Sequence, residues 1–255
     1  MTAYYNEIDP YAAQWLRNLI AAGHIAPGEV DERSIVDVHA DDLKGYTQCH
    51  FFAGIGGWSY AARIAGWSDG RAMWTGSCPC QPLSSAGLRK GHADERHLWP
   101  AFYRLISECR PPVVLGEQAA NKDGREWLSA VRADMESLGH AFGAADLCAA
   151  GVGRPHIRQR LFWLAHAERW GLQGRNFRRS QQTAVELASI GSEASGVHGW
   201  SEEGGEPELA FVAHGLPSGV AAVRAYGNAI VPQVAAEIIG AYMDIAILEA
   251  ERASA

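Results

Sequence analysis

The chain has 255 residues, 47% of them apolar, enough for one large α/β domain, or for one such domain with a small lobe, around a sizeable core. Its net charge of −7 argues at first against a nucleic-acid partner. No run of 18 apolar residues occurs, and Met1-Thr2-Ala3-Tyr4-Tyr5 lacks a basic start and an apolar core, so neither a transmembrane helix nor a secretory signal is expected. Cys49, Cys78, Cys80, Cys109 and Cys148 are an odd number without a framework spacing, which points to a reducing cytoplasm.

In chain order, Tyr4-Tyr5-Asn6-Glu7 reads as a strand that ends on an acid, and Tyr11 to Ala22 as a helix capped by Gly23. Arg33-Ser34-Ile35-Val36-Asp37 follows. The apolar strand around His50-Phe51-Phe52 runs into Ala53-Gly54-Ile55-Gly56-Gly57, and Ser59 to Ala65 then looks helical. Glycines at such a turn let a ligand approach the backbone, and the helix start behind them favours an anionic group. Ala72 to Gly76 is strand-like and delivers Cys80 into a loop of Pro, Ser and Gly, which is where α/β enzymes hold a nucleophile. Asp94 to Trp99 opens a helix. Pro112 to Gln118 has a buried-strand pattern ending on the carboxylate of Glu117, and Arg158-Gln159-Arg160 leads into the apolar strand Leu161 to Leu164. From Glu168 to about Pro207 the chain is rich in Gly, Ser, Gln and Glu; Trp170, Phe177, Trp200 and Phe211 could supply a satellite core there, or part of it could be disordered.

The segments Phe52-Ala53-Gly54-Ile55-Gly56-Gly57, Pro79-Cys80-Gln81, Asp94 to Leu98, Glu117-Gln118-Ala119, Arg158-Gln159-Arg160 and Gly227-Asn228 to Pro232 resemble, in that order, the motifs of the cytosine-C5 DNA methyltransferase family. The resemblance covers about residues 4–165 and 215–240 and is nearest to small phage or prophage members. Two positions depart from it. Gln118 stands where the family has Asn, and His156 replaces the Gln that precedes the two arginines. The motif order also departs. Tyr4 to Ala13 resembles the second motif and Arg33 to Leu43 the third, yet both precede the first motif at Phe52, so a circular permutation is expected, against the alternative that residues 1–45 are an unrelated extension. In a sheet ordered 3-2-1-4-5, the helix after Gly57 would then either make a left-handed crossover on the cofactor side or move to the other face; the first is expected, because the glycine turn needs that helix start.

The resemblance implies a Rossmann-like α/β fold with a central, mostly parallel sheet and helices on both faces. Residues 1–165 and 215–255 would form the catalytic domain and 166–214 a short target-recognition region. It implies S-adenosylmethionine as methyl donor, S-adenosylhomocysteine as product, and cytosine in double-stranded DNA as acceptor, in the cytoplasm of a bacterial or phage-infected cell and in a restriction-modification setting. Cys80 would be the nucleophile, Glu117 the group on ring N3, Arg160 the holder of O2, and Arg158 a support for the loop or a phosphate. Around the cofactor it places Phe52, Ala53, Gly54, Ile55, Gly56, Gly57, Pro79, Leu98, Asn228 and Ala229, with Glu7 and Ile8 at the ribose and Ile35 and Asp37 towards the adenine.

Charge distribution outweighs total charge. Arg154, Arg158, Arg160, Arg169, Arg175, Arg178 and Arg179 fall in one short stretch with Glu168 as its only acid, so Arg175, Arg178 and Arg179, with Gln81 and Ser84 beside the nucleophile, are candidate DNA contacts; a solvated arginine face is the alternative. The short recognition region leaves room for a protein partner in target recognition. Cys78 and Cys80 lack a second ligand pair at metal spacing, so no metal is expected. A non-catalytic homologue and an RNA-directed enzyme are the competing functions. The retained Cys80, Glu117 and Arg160 speak against the first. The Cys-Phe-Thr string of the family's tRNA-acting branch does not occur, which speaks against the second.

Overall fold

A computed structural model describes residues 3–79, 98–154, 157–167 and 229–254. In chain order the elements are β1 (Ala3–Asn6), α1 (Pro10–Ala21), β2 (Gly28–Asp31), β3 (Gln48–Phe51), α2 (Gly57–Ile64), β4 (Met73–Gly76), α3 (Trp99–Cys109), β5 (Val113–Ala119), α4 (Lys122–Ser137), β6 (His140–Cys148), β7 (Gln159–Ala167) and α5 (Pro232–Ser254). Short 3₁₀ turns at Ile35–Asp37 and Ala40–Leu43 lie between β2 and β3. The described strands form one sheet ordered β2-β1-β3-β4-β5-β7-β6. Neighbours from β2 to β5 are parallel, and β7 runs antiparallel to both β5 and β6. The fold is α/β with a mostly parallel central sheet.

Side-chain alternation along the strands separates two faces. On one, Tyr4, Phe51, Trp74, Val114 and Trp163 pack with α3, α4 and the 3₁₀ turns. On the other, Tyr5 packs against α1, while Met73, Leu115 and Phe162 pack against α2 and α5. Central strands buried on both faces need apolar residues throughout, so β3 and β4 have no exposed side chain. The polar exceptions are Gln48, Thr75 and, between the two, His50. Its Nδ1 lies 2.8 Å from Thr75 Oγ1 and its Nε2 3.3 Å from Gln48 Oε1, and its ring stacks on Tyr5. Both ring nitrogens are thereby satisfied in a place without water.

Helix starts follow local chemistry. Asp9 caps α1 by accepting from Tyr11 and Ala12 backbone N–H groups, with Pro10 pre-set at the first turn. Asn121 caps α4 through Gly124 N–H. The helix expected to open between Asp94 and Trp99 begins at Trp99, where Pro100 follows; residues 94–97 lie outside the described ones. The strand carrying Glu117 runs two residues further than its apolar pattern, because Gln118 and Ala119 complete the ladder with β7. The strand of the third segment is Gly28–Asp31, ahead of the Arg33–Asp37 stretch that the resemblance singles out. It is an edge strand and mostly polar, so no apolar run marks it.

Tyr5 OH lies 2.9 Å from Ser59 Oγ, which places α2 on the same face as α1. The chain moves from β1 to β2 through that face in one direction, and from β3 to β4 through the same face in the other. The β4-α3-β5 and β2-to-β3 connections use the opposite face. Three of these crossovers and β5-α4-β6, whose parallel strands α4 bridges on the face of α3, therefore share one hand, and β3-α2-β4 has the other; the general right-handed preference makes it the left-handed one. Of the division expected at 166–214, His166 and Ala167 still belong to β7, and residues 168–214 lie outside the described ones.

Candidate active site

The glycine turn at the end of β3 is shaped by backbone geometry. Phe52, Gly54 and Gly56 all have left-handed φ, at 51°, 55° and 84°. The strain at Phe52 is held by packing, since its ring meets Phe102 edge-on at 6.1 Å. A Cβ on Gly57 would lie 2.7 Å from Ile230 Cγ1, so only glycine admits the segment that leads into α5. Nothing lies within 4 Å of a Cβ built on Gly54, which leaves open space over the turn. Ala53 N–H donates to Asn6 O at 3.0 Å, tying the turn to β1.

Glu7 follows β1 and reaches the same turn. Its Oε2 accepts from Gly54 N–H at 2.7 Å and its Oε1 from Asp9 N–H at 2.9 Å. The carboxylate is thus oriented by two backbone donors, each oxygen keeping a lone pair for a ligand. Ile8 beside it is 65% exposed, and Val36, beyond the end of β2, is 52% exposed. Ile35 does not turn its side chain to this opening: it is 2% exposed and belongs to the core with Val38 and Leu43, because the 3₁₀ turn needs an anchor against α3. Asp37 is exposed, and its carbonyl lies 3.5 Å from Arg33 Nη1. Asp31, Arg33, Tyr4 and Asp42 form an ion-paired cluster next to it, with Arg33 Nη2 2.7 Å from Asp31 and 3.1 Å from Asp42. Leu98 stands before the first turn of α3, half-buried against the core below Phe52.

The acid and the arginines come from two adjacent strands. In the antiparallel ladder Glu117 faces Phe162 and Ala119 faces Arg160, so Glu117 and Arg160 are diagonal neighbours on one face. Arg160 Nε lies 2.8 Å from Glu117 Oε1. The approach is off the N–H direction, so that buried oxygen accepts no well-directed hydrogen bond. Burial raises the Glu117 carboxyl above the usual carboxylate range, against the opposing pull of Arg160 and Arg158. Burial lowers Arg158, and Arg160 adds to that. Arg158 Nη2 donates to Ala229 O at 2.8 Å, while its buried Nε has no partner. Arg158 Nε, without a partner, and Glu117 Oε1, ion-paired but without a directed hydrogen bond, thus lie buried at the carboxyl end of the sheet, which is where a substrate's own polar atoms would be accommodated.

Cys80 lies outside the described residues, as do Gln81, Ser84, Arg175, Arg178, Arg179 and Asn228. The stem Ser77–Pro79 that carries Cys80 is described. Gln118 Nε2 donates to Cys78 O at 3.2 Å, so the longer amide grips the stem of the nucleophile loop. Trp58 Nε1 donates to Ser77 Oγ at 2.9 Å from the opposite side. Sequence reasoning missed Trp58, Ser77, Asp31 and Val36. Trp58 directly after the paired glycines was the one available signal; nothing local pairs it with a serine 19 positions on.

The family model for the C-5 cytosine-specific DNA methylase matches residues 68–195, half of the chain. The chain belongs to this family. Among curated relatives, the Type II methyltransferase M.AplI of Arthrospira platensis is 32% identical over 97 residues, 37% of this chain and 28% of that protein. The Type II methyltransferase M.HhaI of Haemophilus parahaemolyticus is 31% identical over 103 residues, 39% of this chain and 32% of that protein. The chain thus spans about a third of the length of these curated relatives. Among solved structures, a DNMT2 variant of Spodoptera frugiperda superposes with a TM-score of 0.46 and 14% identity, over 69% of this chain and 46% of that one. Among the described residues of this family member no cluster of His, Cys, Asp and Glu could hold a metal, and no helix is long and apolar enough to cross a membrane.

Proposed function

We propose that this protein methylates carbon 5 of cytosine in double-stranded DNA. The observation that carries the proposal is the ion pair of buried Glu117 with the partly exposed Arg160, which a family member's nucleophile stem adjoins through Gln118 and Cys78. Carbon 5 of cytosine is a weak nucleophile. The Cys80 thiolate would form a bond to carbon 6 while the neutral Glu117 carboxyl gives its proton to N3, so that the ring electrons become available at carbon 5. Arg160 holds the Glu117 carboxyl and is placed to donate to O2. Loss of the carbon 5 proton to a base then expels the thiolate, N3 returns its proton to the Glu117 carboxylate, and the ring is restored. S-adenosylmethionine supplies the electrophilic methyl group and leaves as S-adenosylhomocysteine.

The residues present fit that donor. The open turn at Gly54, the oriented Glu7 carboxylate and the exposed Ile8 and Val36 suit a ribose diol beside a flat adenine. Phe52, Ala53, Ile55, Gly56, Gly57, Pro79, Leu98, Asn228 and Ala229 would complete the pocket. We infer further that the family's motifs are circularly permuted here. The pairing of β1 with β3 and the Glu7–Gly54 bond support this, since they bring the N-terminal segment to the glycine turn.

Cys80→Ser tests the reaction. Methyl transfer should fall by at least about a hundredfold while S-adenosylhomocysteine still binds. Wild-type protein should form a covalent adduct with DNA containing 5-fluorocytosine, because fluorine replaces the proton that must leave carbon 5. An adduct in the Ser variant, or none in the wild type, would overturn the assignment.

A further inference from the structure

The stem of the Cys80 loop is held from two sides by bonds that the chemistry itself does not demand. Gln118 grips the Cys78 carbonyl from β5. Trp58, the second residue of α2, grips the Ser77 hydroxyl. Trp58 is 5% exposed, and its ring also meets Phe162 edge-on at 6.0 Å, two positions from Arg160 on β7. Phenylalanine would keep most of that apolar contact; what the indole adds is a directed N–H, donated here to Ser77.

The position of that N–H depends on the glycine turn. Trp58 follows Gly56, which is left-handed, and Gly57, whose missing Cβ lets Ile230 press against the start of α2. A ligand settling on the turn bears on the first turn of α2, and Ser77 is joined to that turn by a single short bond. On the other side the Cys78 carbonyl is fixed to the rigid β5. A displacement of α2 therefore acts on Ser77 against a fixed neighbour, three residues before Cys80.

We propose that Trp58 is a positioning residue, and that its bond to Ser77 couples occupancy of the glycine turn to the reactivity of Cys80. The proposal rests on the reading that this turn holds S-adenosylmethionine. Such coupling is reciprocal, so a ligand that changes Cys80 through this bond is itself held differently when the bond is cut.

The test uses the full chain and needs no turnover. Alkylation of Cys80 by iodoacetamide is followed by peptide mass spectrometry with and without saturating S-adenosylhomocysteine, and cofactor affinity is measured by calorimetry. In wild type the cofactor should change the Cys80 rate about fivefold or more. Trp58→Phe and Ser77→Ala should lose most of that change while still binding cofactor, and Ser77→Thr, which keeps the acceptor, should retain it. Ser77→Ala keeps the test valid if Trp58→Phe fails to fold. The same cofactor-dependent change in the variants as in wild type would mean direct shielding and would overturn the proposal, as would no change in wild type with cofactor bound. Wild-type protein that binds no S-adenosylhomocysteine would strike the cofactor reading itself.

Discussion

Glu117 decides the site's response to pH. It is 8% exposed, and burial holds its carboxyl above the ordinary carboxylate range although two arginines pull the other way. A carboxyl that must give a proton to N3 works only while neutral, so the methylation rate should fall as pH rises through this raised pKa. Glu117→Gln keeps the shape and removes the proton; the rate should drop about 100- to 10,000-fold and that limb of the profile should vanish, with cofactor affinity unchanged. A pH profile of the Gln variant parallel to wild type would assign the limb to another group. The same shift has a stability sign. The unfolded carboxyl ionises first, so the native state loses stability as pH rises from the ordinary carboxylate range through the Glu117 value, and Glu117→Gln should be flatter there in urea titrations. That Glu117 and Arg160 meet was legible from the family motifs they resemble, and the two strands bring them together. The grip of Gln118 on Cys78 was not: one added methylene looked like a departure, and only the strand register shows that the amide still arrives.

Between elements, β1 and the glycine turn form one unit, joined by the ladder to β3 and by Glu7 on Gly54. Glu7→Ala should weaken S-adenosylhomocysteine binding by about 1–3 kcal/mol in calorimetry, the size of one charge-assisted hydrogen bond. Unchanged affinity would reduce β1 to a scaffold strand and remove the main support for permutation. Strand β3 makes a separate prediction. Burial pushes His50 down to about 3, so it stays neutral in the fold while the unfolded residue takes a proton below about pH 6.5. Stability should fall as pH drops below that point, and His50→Asn should remove most of the slope in denaturant titrations between about pH 7 and 5. An equal slope in the variant would place the acid sensitivity elsewhere. The central strands and α1 were legible from apolar runs and caps. The edge strand β2 was not, since a polar four-residue strand has no periodic signature, and the start of α3 was set by Pro100 instead of the acids before it.

Across the whole molecule, the motif order exposed what no local pattern could. A glycine turn bonded to an acid that precedes it in the chain goes with a path that enters the sheet at β1, steps out to β2, returns to β3 and then advances to β4. The lone crossover of opposite hand is the cost of that route, and it keeps the start of α2 on the face where the turn needs it. Charge is divided on the same scale. The first 42 residues carry eight acids, whereas the arginines gather from Arg154 to Arg179. Beyond the Debye length of about 8–10 Å in physiological salt the net charge of −7 is largely screened, so at contact the charges nearest the DNA outweigh the total. Arg158 and Arg160 already hold Ala229 and Glu117 at the site. That leaves Arg175, Arg178 and Arg179 as the group to test. Replacing all three by Gln should weaken duplex binding and reduce the slope of log affinity against log salt by about one unit for every phosphate that is no longer neutralised. S-adenosylhomocysteine affinity should stay at the wild-type value, because that pocket is built from β1, β3 and their turns. A slope equal to wild type would make the cluster a solvated face and hand DNA attachment to a partner protein.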